Sequence, residues 1–433
     1  MLKDTKQSAV RRNVVILLTA LVVLRSLINN MVSLSPMPAL YSTFAEILLV
    51  VLLWALCPHG GRRTKMEWLL LCYAGWGILT RFLLKDLELI YSVRLEVLML
   101  FEICVAFFTT HDVDRKTASR IVSLVTAILC AILTVWAICG MAVVMTDITE
   151  LRVLGLVAEV RKRYVVFSPV SRNETSVWFM VGLWLLAYQW TVCKRKLWRI
   201  PMAFSMLLQY FLIALQRSRT MYIAVAISVG LLAASRLLEL GWKKLPKYLL
   251  MAVTAAACAF VVYKSFFVIN DFFAVVFKMP SLQGYLQNRK TVMSRSEIWK
   301  GEIQFLMDNP RVLLFGQPKG TISENMLRYY TGKGTSIPHL HNGFLQVLAM
   351  YGLPGLVLLC SFLFVLARKV LRVHFAKGMT DERILSAILI GLVIDSLMEP
   401  VFTAWMGLST SMFMLVAGWL TRENAGEDSD GQA

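Results

Sequence analysis

The sequence has few charged residues for its length, and this scarcity argues against a soluble fold. Only 17% of the 433 residues are Asp, Glu, Lys or Arg, while 58% are hydrophobic, and the mean hydropathy is +0.64. A soluble chain of this size could not cover so much apolar surface. Long apolar runs separated by short polar stretches instead predict a membrane protein that crosses the bilayer many times.

The sequence also lacks paired cysteines. Its eight cysteines lie mostly within apolar runs, none lies in the longest polar segment, and no CxxC pair occurs. These positions argue against a disulfide framework and against a thiolate metal site.

Acidic residues are scarce beside basic ones, with 27 Asp and Glu against 45 Lys and Arg and a net charge of +18. In a membrane protein such an excess reflects sorting across the bilayer, and we favour this over nucleic-acid binding. Short loops rich in Lys and Arg alternate with a loop at 34–39 that has neither. The positive-inside rule then puts both termini in the cytoplasm.

The apolar runs predict an all-α polytopic fold of about twelve transmembrane helices. Residues 1–268 hold spans one to nine, 269–338 form one large exterior loop with short helices, 339–422 hold the last three spans, and 423–433 form a disordered polar tail. The spans are expected at roughly 13–33, 40–57, 66–84, 94–110, 120–145, 174–192, 198–215, 220–235, 247–268, 344–367, 384–398 and 402–420.

Two exterior segments are basic. The segment 146–173 carries five Lys or Arg against three acidic residues, and the loop 269–338 carries nine against five. Basic charge beside the outer membrane face indicates an anionic ligand. On charge and predicted side alone, Arg161, Arg163 and Arg217 are candidate substrate-binding residues.

Charged residues within the predicted spans are few. They are Arg25, Glu46, Glu102 and Asp395, with Glu399 at a helix end. A charge in lipid needs a partner or a cavity. We interpret these residues as partners in helix-to-helix pairing rather than as catalytic groups.

The stretch 337–355 contains two histidines at a membrane boundary. His339 and His341 follow Pro338, and an apolar run begins at Phe344. An imidazole titrates near neutral pH and can act as a general base. The alternative, an interfacial histidine that only caps a helix, stays open on the local sequence alone.

The same stretch predicts a broken helix. Gly352 and Gly355 are poor interior helix residues, and Pro354 lacks the N–H that a continuous helix needs. We therefore expect a break around Tyr351 to Pro354, with the true span starting near Pro354.

Two further arginines occupy sites suited to phosphate. Arg219 shares a short turn with Arg217 between two spans, and Arg295 lies in the first turn of an amphipathic helix that begins at a Ser294–Glu297 capping box. An arginine fork can hold a phosphate through two hydrogen bonds. The alternatives are interface anchoring and contact with lipid headgroups.

These residues resemble the signature of the bacterial O-antigen ligases and the related O-antigen polymerases. His341-Asn342, nine residues and then Gly352-Leu-Pro-Gly355 is similar to the family's His-Asn and GxxG elements. Ser218-Arg219-Thr220 and the helix that starts at Arg295 resemble two further elements. The resemblance covers about residues 170–360.

The resemblance implies inverting, metal-independent glycosyl transfer, without a cofactor, on the outer face of the inner membrane. The donor would be a glycan on undecaprenyl diphosphate and the acceptor a glycan or lipid. His341 matches the general base, and Arg219 and Arg295 match the arginines that engage the diphosphate. His339 precedes the motif, and we predict that it assists in binding the substrate. Ligase and polymerase activities stay open. A polyprenyl-glycan transporter, which would not need His341, is the alternative from another class.

Overall fold

A computed structural model describes residues 2–31, 52, 64–83, 103–146, 148, 150–153, 156–161, 164–168, 171–238, 244–276, 290–317, 322, 339–376, 378–402 and 407–422. This part of the chain is mostly helical. Its helices are α1 (Leu2–Met31), α2 (Lys65–Leu83), α3 (Arg115–Met145), α4 (Arg172–Val192), α5 (Arg199–Gln216), α6 (Arg219–Leu238), α7 (Lys244–Val276), α8 (Lys290–Asp308), α9 (Pro310–Phe315), α10 (Gly343–Phe375), α11 (Thr380–Ser396) and α12 (Gly407–Thr421). A further helical segment covers 103–111, and a 3-10 turn covers Lys196–Trp198.

Five helical segments among the described residues are long and apolar enough to cross a membrane. They are Arg115–Met145, Lys196–Gln216, Arg219–Leu237, Leu249–Phe273 and Gly343–Phe375, and a shorter apolar helix covers Leu408–Thr421. The membrane class is therefore confirmed. The count of twelve spans and the side of the membrane stay predictions, and most of the predicted span at 40–57 lies outside the described residues.

Helix α4 lies in the interior of the helical assembly. Every residue from Thr175 to Leu186 is buried, as expected for a helix that is apolar on all sides. It packs against α3, α5 and α11. The rings of Trp136 on α3 and Trp178 on α4 stack with centroids 5.8 Å apart. This burial fixes the position of the first turn of α4, which carries Asn173 and Thr175.

The segment 150–168 forms an antiparallel sheet, so the prediction of an entirely α-helical fold is wrong there. Strands β1 (Glu150–Val153), β2 (Leu156–Arg161) and β3 (Tyr164–Ser168) pair in that order, with Val153 opposite Leu156 and Arg161 opposite Tyr164. Leu156, Ala158, Val165 and Phe167 are buried, and the sheet packs on α3 and α5. Valine-rich strands of four to six residues favour a sheet that covers the end of two helices.

The predicted break in α10 is confirmed. Gly352 has non-helical φ 67° and ψ −173° inside the segment Gly343–Phe375, so two helices meet there. The backbone carbonyls at the break accept hydrogen bonds from other parts of the protein. The Gln317 N–H, just after α9, donates to the Ala349 carbonyl at 2.8 Å, and Trp76 Nε1 donates to the Tyr351 carbonyl at 2.7 Å. Backbone groups freed by a break at membrane depth need such partners.

The amphipathic helix of the predicted exterior loop exists and is longer than expected. Helix α8 starts at Lys290 rather than near Ser294. It ends at Asp308, just before Asn309 and Pro310, which the sequence predicts to stop the helix. Pro310 then opens α9, in the position where proline suits a helix start. The sequence also predicts a second short helix at 323–330. This segment and the tail at 423–433 lie outside the described residues.

Candidate active site

The histidine turn is held by side chains from several parts of the chain. Asn342 caps α10, because its Oδ1 accepts the Leu345 N–H at 2.9 Å, and its Nδ2 donates to the Leu397 carbonyl at 3.2 Å. Trp299 Nε1 donates to the Leu340 carbonyl at 2.8 Å, and the Leu340 N–H donates to Gln346 Oε1 at 2.9 Å. The turn is therefore a fixed structure at the start of α10.

Both imidazoles face the carboxylate of Glu399. His341 Nδ1 lies 3.4 Å and His339 Nε2 lies 3.9 Å from Glu399 Oε2. The other oxygen, Oε1, accepts from Asn173 Nδ2 at 2.7 Å and from Arg295 Nη2 at 3.0 Å. We call these five residues the Glu399 cluster. Its members come from the turn before α10, from α4, from α8 and from the turn after α11.

The Glu399 cluster keeps its carboxyl group charged. Burial by itself raises the pKa of Glu399, but the neighbouring imidazoles of His341 and His339 and the positive charge of Arg295 outweigh it, and the net pKa is lowered. Glu399 is 3% exposed, so these interactions are little screened by water. The site therefore holds a fixed negative charge behind its two imidazoles.

The carboxylate position assigns the protons of His341. With Nδ1 facing Glu399, a proton on Nδ1 is favoured, and Nε2 is left with its lone pair. A histidine oriented in this way by a carboxylate is suited to accept a proton at Nε2 and to be stabilised as imidazolium. The side chain of His341 is 28% exposed, so a substrate can reach it.

Two side-chain groups among the described residues have the donor atoms of a metal site. The atoms of His339, His341 and Glu399 lie within 4.8 Å of one another, as do those of a second group at Glu67, His111 and Asp112. In the first group, however, His339 Nδ1 accepts the His341 N–H at 3.2 Å, which places the proton of the neutral ring on Nε2. A metal on Nε2 would need that hydrogen bond to break.

The structure places Arg295 beside Glu399 and buries Arg217. Arg217 is 2% exposed, and its Nε donates to Asn270 Oδ1 at 3.0 Å, so it stabilises the α5–α6 turn. That turn packs on the first turns of α4, where Gln216 exchanges hydrogen bonds with Ser176 and Thr175 at 2.7 and 2.6 Å. Because Asn173 lies in the same part of α4, Arg219 at the start of α6 is at the same end of the bundle as Glu399.

The two remaining sequence candidates are not located by the structure. Arg161 ends β2, and its side chain lies outside what the structure describes, as does the whole of Arg163. Their suggested part in substrate binding stays a prediction.

An apolar groove of about 690 Å³ runs from the site along α10. One end is lined by Phe344 and Ile394, which lie three and five residues from His341 and Glu399, and the other by His374 and Phe375. The walls come from α6, α7, α10 and α11. His374 contributes little polarity, since its ring nitrogens bond Ser235 Oγ at 2.6 Å and Ser386 Oγ at 2.8 Å.

Residues 201–360 match the family model described as O-antigen ligase. Over this stretch the chain is similar to the O-antigen ligase family. The matched range runs from α5 into α10 and contains Arg219, Arg295 and His341. No curated protein shows significant similarity to the chain. The family indicates a membrane enzyme of the glycosyltransferase type.

The sequence does not single out Asn173, and it favours a helix-pairing role for Glu399. Both lie outside the matched range of 201–360. The only local signal for Glu399 is a carboxyl group at the end of an apolar helix, where an unpaired charge would be costly. Asn173 has no such signal, since a helix start commonly carries an asparagine.

Proposed function

We propose that the protein transfers a glycan from an undecaprenyl-diphosphate carrier to a glycan or lipid acceptor at the outer face of the bacterial cytoplasmic membrane. The reaction is inverting and metal-independent, with His341 as the general base and Arg295 and Arg219 as the diphosphate ligands. O-antigen ligase-like transfer is the main candidate, and polymerisation by the same site is the alternative.

The observation that carries this proposal is the convergence of His341 and Arg295 on one carboxylate. His341 Nδ1 and Arg295 Nη2 contact opposite oxygens of Glu399, at 3.4 and 3.0 Å. A proton acceptor and a phosphate ligand thus lie within one diphosphate-sugar of each other. This is the spacing that the two charges formed in glycosyl transfer require.

His341, Glu399 and the two arginines account for the proton and the electron pair that move in the transfer step. The acceptor hydroxyl oxygen attacks the anomeric carbon while the bond from that carbon to the diphosphate oxygen breaks. The hydroxyl proton moves to His341 Nε2, and Glu399 stabilises the imidazolium. The electron pair leaves with the diphosphate, whose growing negative charge is met by Arg295 and Arg219, which stay protonated at any relevant pH.

The apolar groove supports a donor with a long lipid chain. The unbroken part of α10 lines the groove from Cys360 to Phe375, over roughly 22 Å at 1.5 Å per residue, and Phe344 lines the other end beside the site. A phospholipid acyl chain reaches only about half of the 30 Å hydrocarbon core. A polyprenyl chain is long enough to follow the groove while its diphosphate lies beside the Glu399 cluster.

The deciding experiment incubates purified protein in nanodiscs with a lipid-linked glycan, alone and with candidate acceptors. Product only with a separate acceptor supports ligation, and a ladder without one supports polymerisation. The variant His341→Ala should abolish both products while its expression and melting temperature stay near wild type. Added EDTA should leave the rate unchanged.

Three results would contradict the proposal. They are full activity of His341→Ala, loss of activity with EDTA that Zn²⁺ or Mg²⁺ restores, and movement of the lipid-linked glycan across the bilayer without any transfer. The last result would make the protein a transporter.

A further inference from the structure

His341 has a backbone conformation that needs support. Its φ is 51°, in the left-handed region, and among the described residues other than glycine only Arg217 also has a positive φ. A side chain in this region meets its own backbone, so neighbouring contacts must hold it there. The direction of the His341 imidazole depends on this conformation, because the ring projects from that Cα.

The support comes from His339. Its Nδ1 accepts the His341 N–H at 3.2 Å, a bond from a side chain to the backbone two residues later. Asparagine and aspartate make the same bond in Asx turns, where their oxygen replaces a backbone acceptor. The neighbouring Leu340 N–H and carbonyl are bonded to Gln346 and Trp299 instead.

The same bond fixes the ring of His339 against that of His341. The two ring centroids are 4.1 Å apart with an interplanar angle of 63°. With Nδ1 as acceptor, the His339 proton lies on Nε2, which points towards Glu399 Oε2 at 3.9 Å. His339 therefore bonds the backbone of His341, packs against its ring and faces the carboxylate that orients it.

We propose that His339 is a positioning residue that holds the left-handed turn at His341 through its Nδ1, and that it acts on the reaction only through His341. This inference rests on the proposed role of His341 as the base. The sequence suggested instead that His339 assists in binding the substrate. The two roles tolerate different substitutions at position 339. An Asx turn needs an acceptor atom bonded to the side-chain Cγ, such as His Nδ1 or Asn Oδ1, whereas a phosphate ligand needs a donor.

The test compares His339→Asn with His339→Leu in the purified full-length protein. Asparagine can accept the His341 N–H through Oδ1, so the Asn variant should retain kcat within about threefold of wild type, with the KM for the lipid-linked donor and the pH profile unchanged. Leucine fills similar space without an acceptor. Its kcat should fall on the order of tenfold to a hundredfold, the loss typical of a catalytic group displaced by about 1 Å.

A second measurement does not depend on activity. Diethyl pyrocarbonate modifies neutral imidazoles, and mass spectrometry can follow the peptide carrying His341 against the one carrying His374, whose ring nitrogens are bonded in the interior. The Leu variant should change the rate and pH dependence of His341 modification, and the Asn variant should restore both.

Two outcomes would overturn the inference. One is an Asn variant as inactive as the Leu variant or with a raised donor KM, and the other is a Leu variant with wild-type kcat. If wild-type protein transfers no glycan at all, the proposed function fails, while the labelling series still decides whether His339 holds the turn.

Discussion

The Glu399 carboxylate brings together side chains that no single sequence motif contains. Its Oε2 faces the two imidazoles, while its Oε1 accepts hydrogen bonds from Arg295 and Asn173. A carboxylate anchored in this way can orient a base without moving when the base gains a proton. The negative charge of Glu399, and not only its hydrogen bonds, is then essential to its role beside the base.

The substitution Glu399→Gln tests this charge. Glutamine keeps an acceptor for Asn173 but cannot stabilise an imidazolium, so kcat should fall by at least about a hundredfold. Kinetics of glycan transfer would measure the loss. Glu382→Gln, at the opposite end of α11 and paired there with Arg115, is the matched control and should keep wild-type kcat. Equal kcat for both variants would contradict a catalytic role of the charge.

Lowering the pH should remove the contribution of the charged Glu399 carboxylate to the stability of the fold. Because its folded-state pKa lies below the ordinary 4.5, the charged carboxylate stabilises the fold above that pH, and the contribution is lost as the pH falls through the lowered folded value. The melting temperatures of wild type and Glu399→Gln should therefore converge below pH 4.5.

The proposed diphosphate ligands should need a guanidinium group. Arg295→Lys and Arg219→Lys keep the charge but lose the two-bond fork, so both should lose most activity, chiefly through kcat. Arg311→Lys, on the exposed surface of α9, is the control. If these arginines only anchored the protein at the interface, lysine would serve equally well in a transfer assay.

At the scale of the element, the break in α10 depends on two glycines at the close approach of α9 to α10. Gly316 and Gly352 both have positive φ, and a Cβ on either would meet the other segment's backbone, at Met350 and Leu314 respectively. The close approach lets α9 cover the break, and the break turns the first helix of α10 so that its N-terminus presents His341.

Gly352→Ala should therefore destabilise the protein and reduce transfer. The strain of a positive φ costs about 1–2 kcal/mol by itself, and the contact with the Leu314 carbonyl adds to it. Gly378→Ala isolates the first effect, since Gly378 has φ 75° but nothing within 4 Å of its Cβ position. A melting temperature for Gly352→Ala no lower than for Gly378→Ala would show that the close approach is not needed.

The interface between α8 and α9 contains a carboxyl group that is costly to ionise. Glu302 is 0% exposed and accepts from Gln317 Nε2 at 3.0 Å. Burial raises its pKa to about 7, against a lowering by that hydrogen bond. A raised pKa means that the folded state binds the proton more tightly, so stability falls as the pH rises from about 4.5 through 7.

Glu302→Gln should consequently stabilise the protein at alkaline pH. Glutamine keeps an acceptor for Gln317 without the buried charge, so we expect a gain on the order of 1–3 kcal/mol at pH 8 and little change at pH 5. Thermal unfolding at the two pH values measures this difference. Glu297→Gln, exposed on the same helix, should show no such pH dependence.

At the scale of the whole molecule, the groove connects the site to the far end of α10. Ala367 lines it, and a tryptophan there would fill part of its 690 Å³. Ala367→Trp should raise the KM for a donor with a full-length polyprenyl chain by roughly tenfold and leave a donor with a two-isoprene chain unaffected. Val357→Trp, also exposed on α10 but outside the groove lining, is the control. Equal loss with both donors would show that the groove does not hold the chain.

Local sequence chemistry was enough for several features of this protein. Apolar runs identify a membrane protein, the glycine and proline of 352–355 predict the break in α10, and Asn309–Pro310 predicts the end of α8. Each depends on the conformational preferences of a few adjacent residues, which act wherever the segment lies. The same is true of the His341-Asn342 motif, whose asparagine caps the helix that follows.

The composition of the site was decided only by the tertiary structure. Glu399 meets Arg295 across 104 residues and Asn173 across 226, and packing of α4, α8 and α11 determines both contacts. Arg217 and Arg219 look alike in the sequence, yet the left-handed turn buries Arg217 against Asn270. The strands at 150–168 likewise gain their stability from covering α3 and α5. Because burial and partners set the energy of a charged group, its role follows from the folded surroundings and not from its residue type.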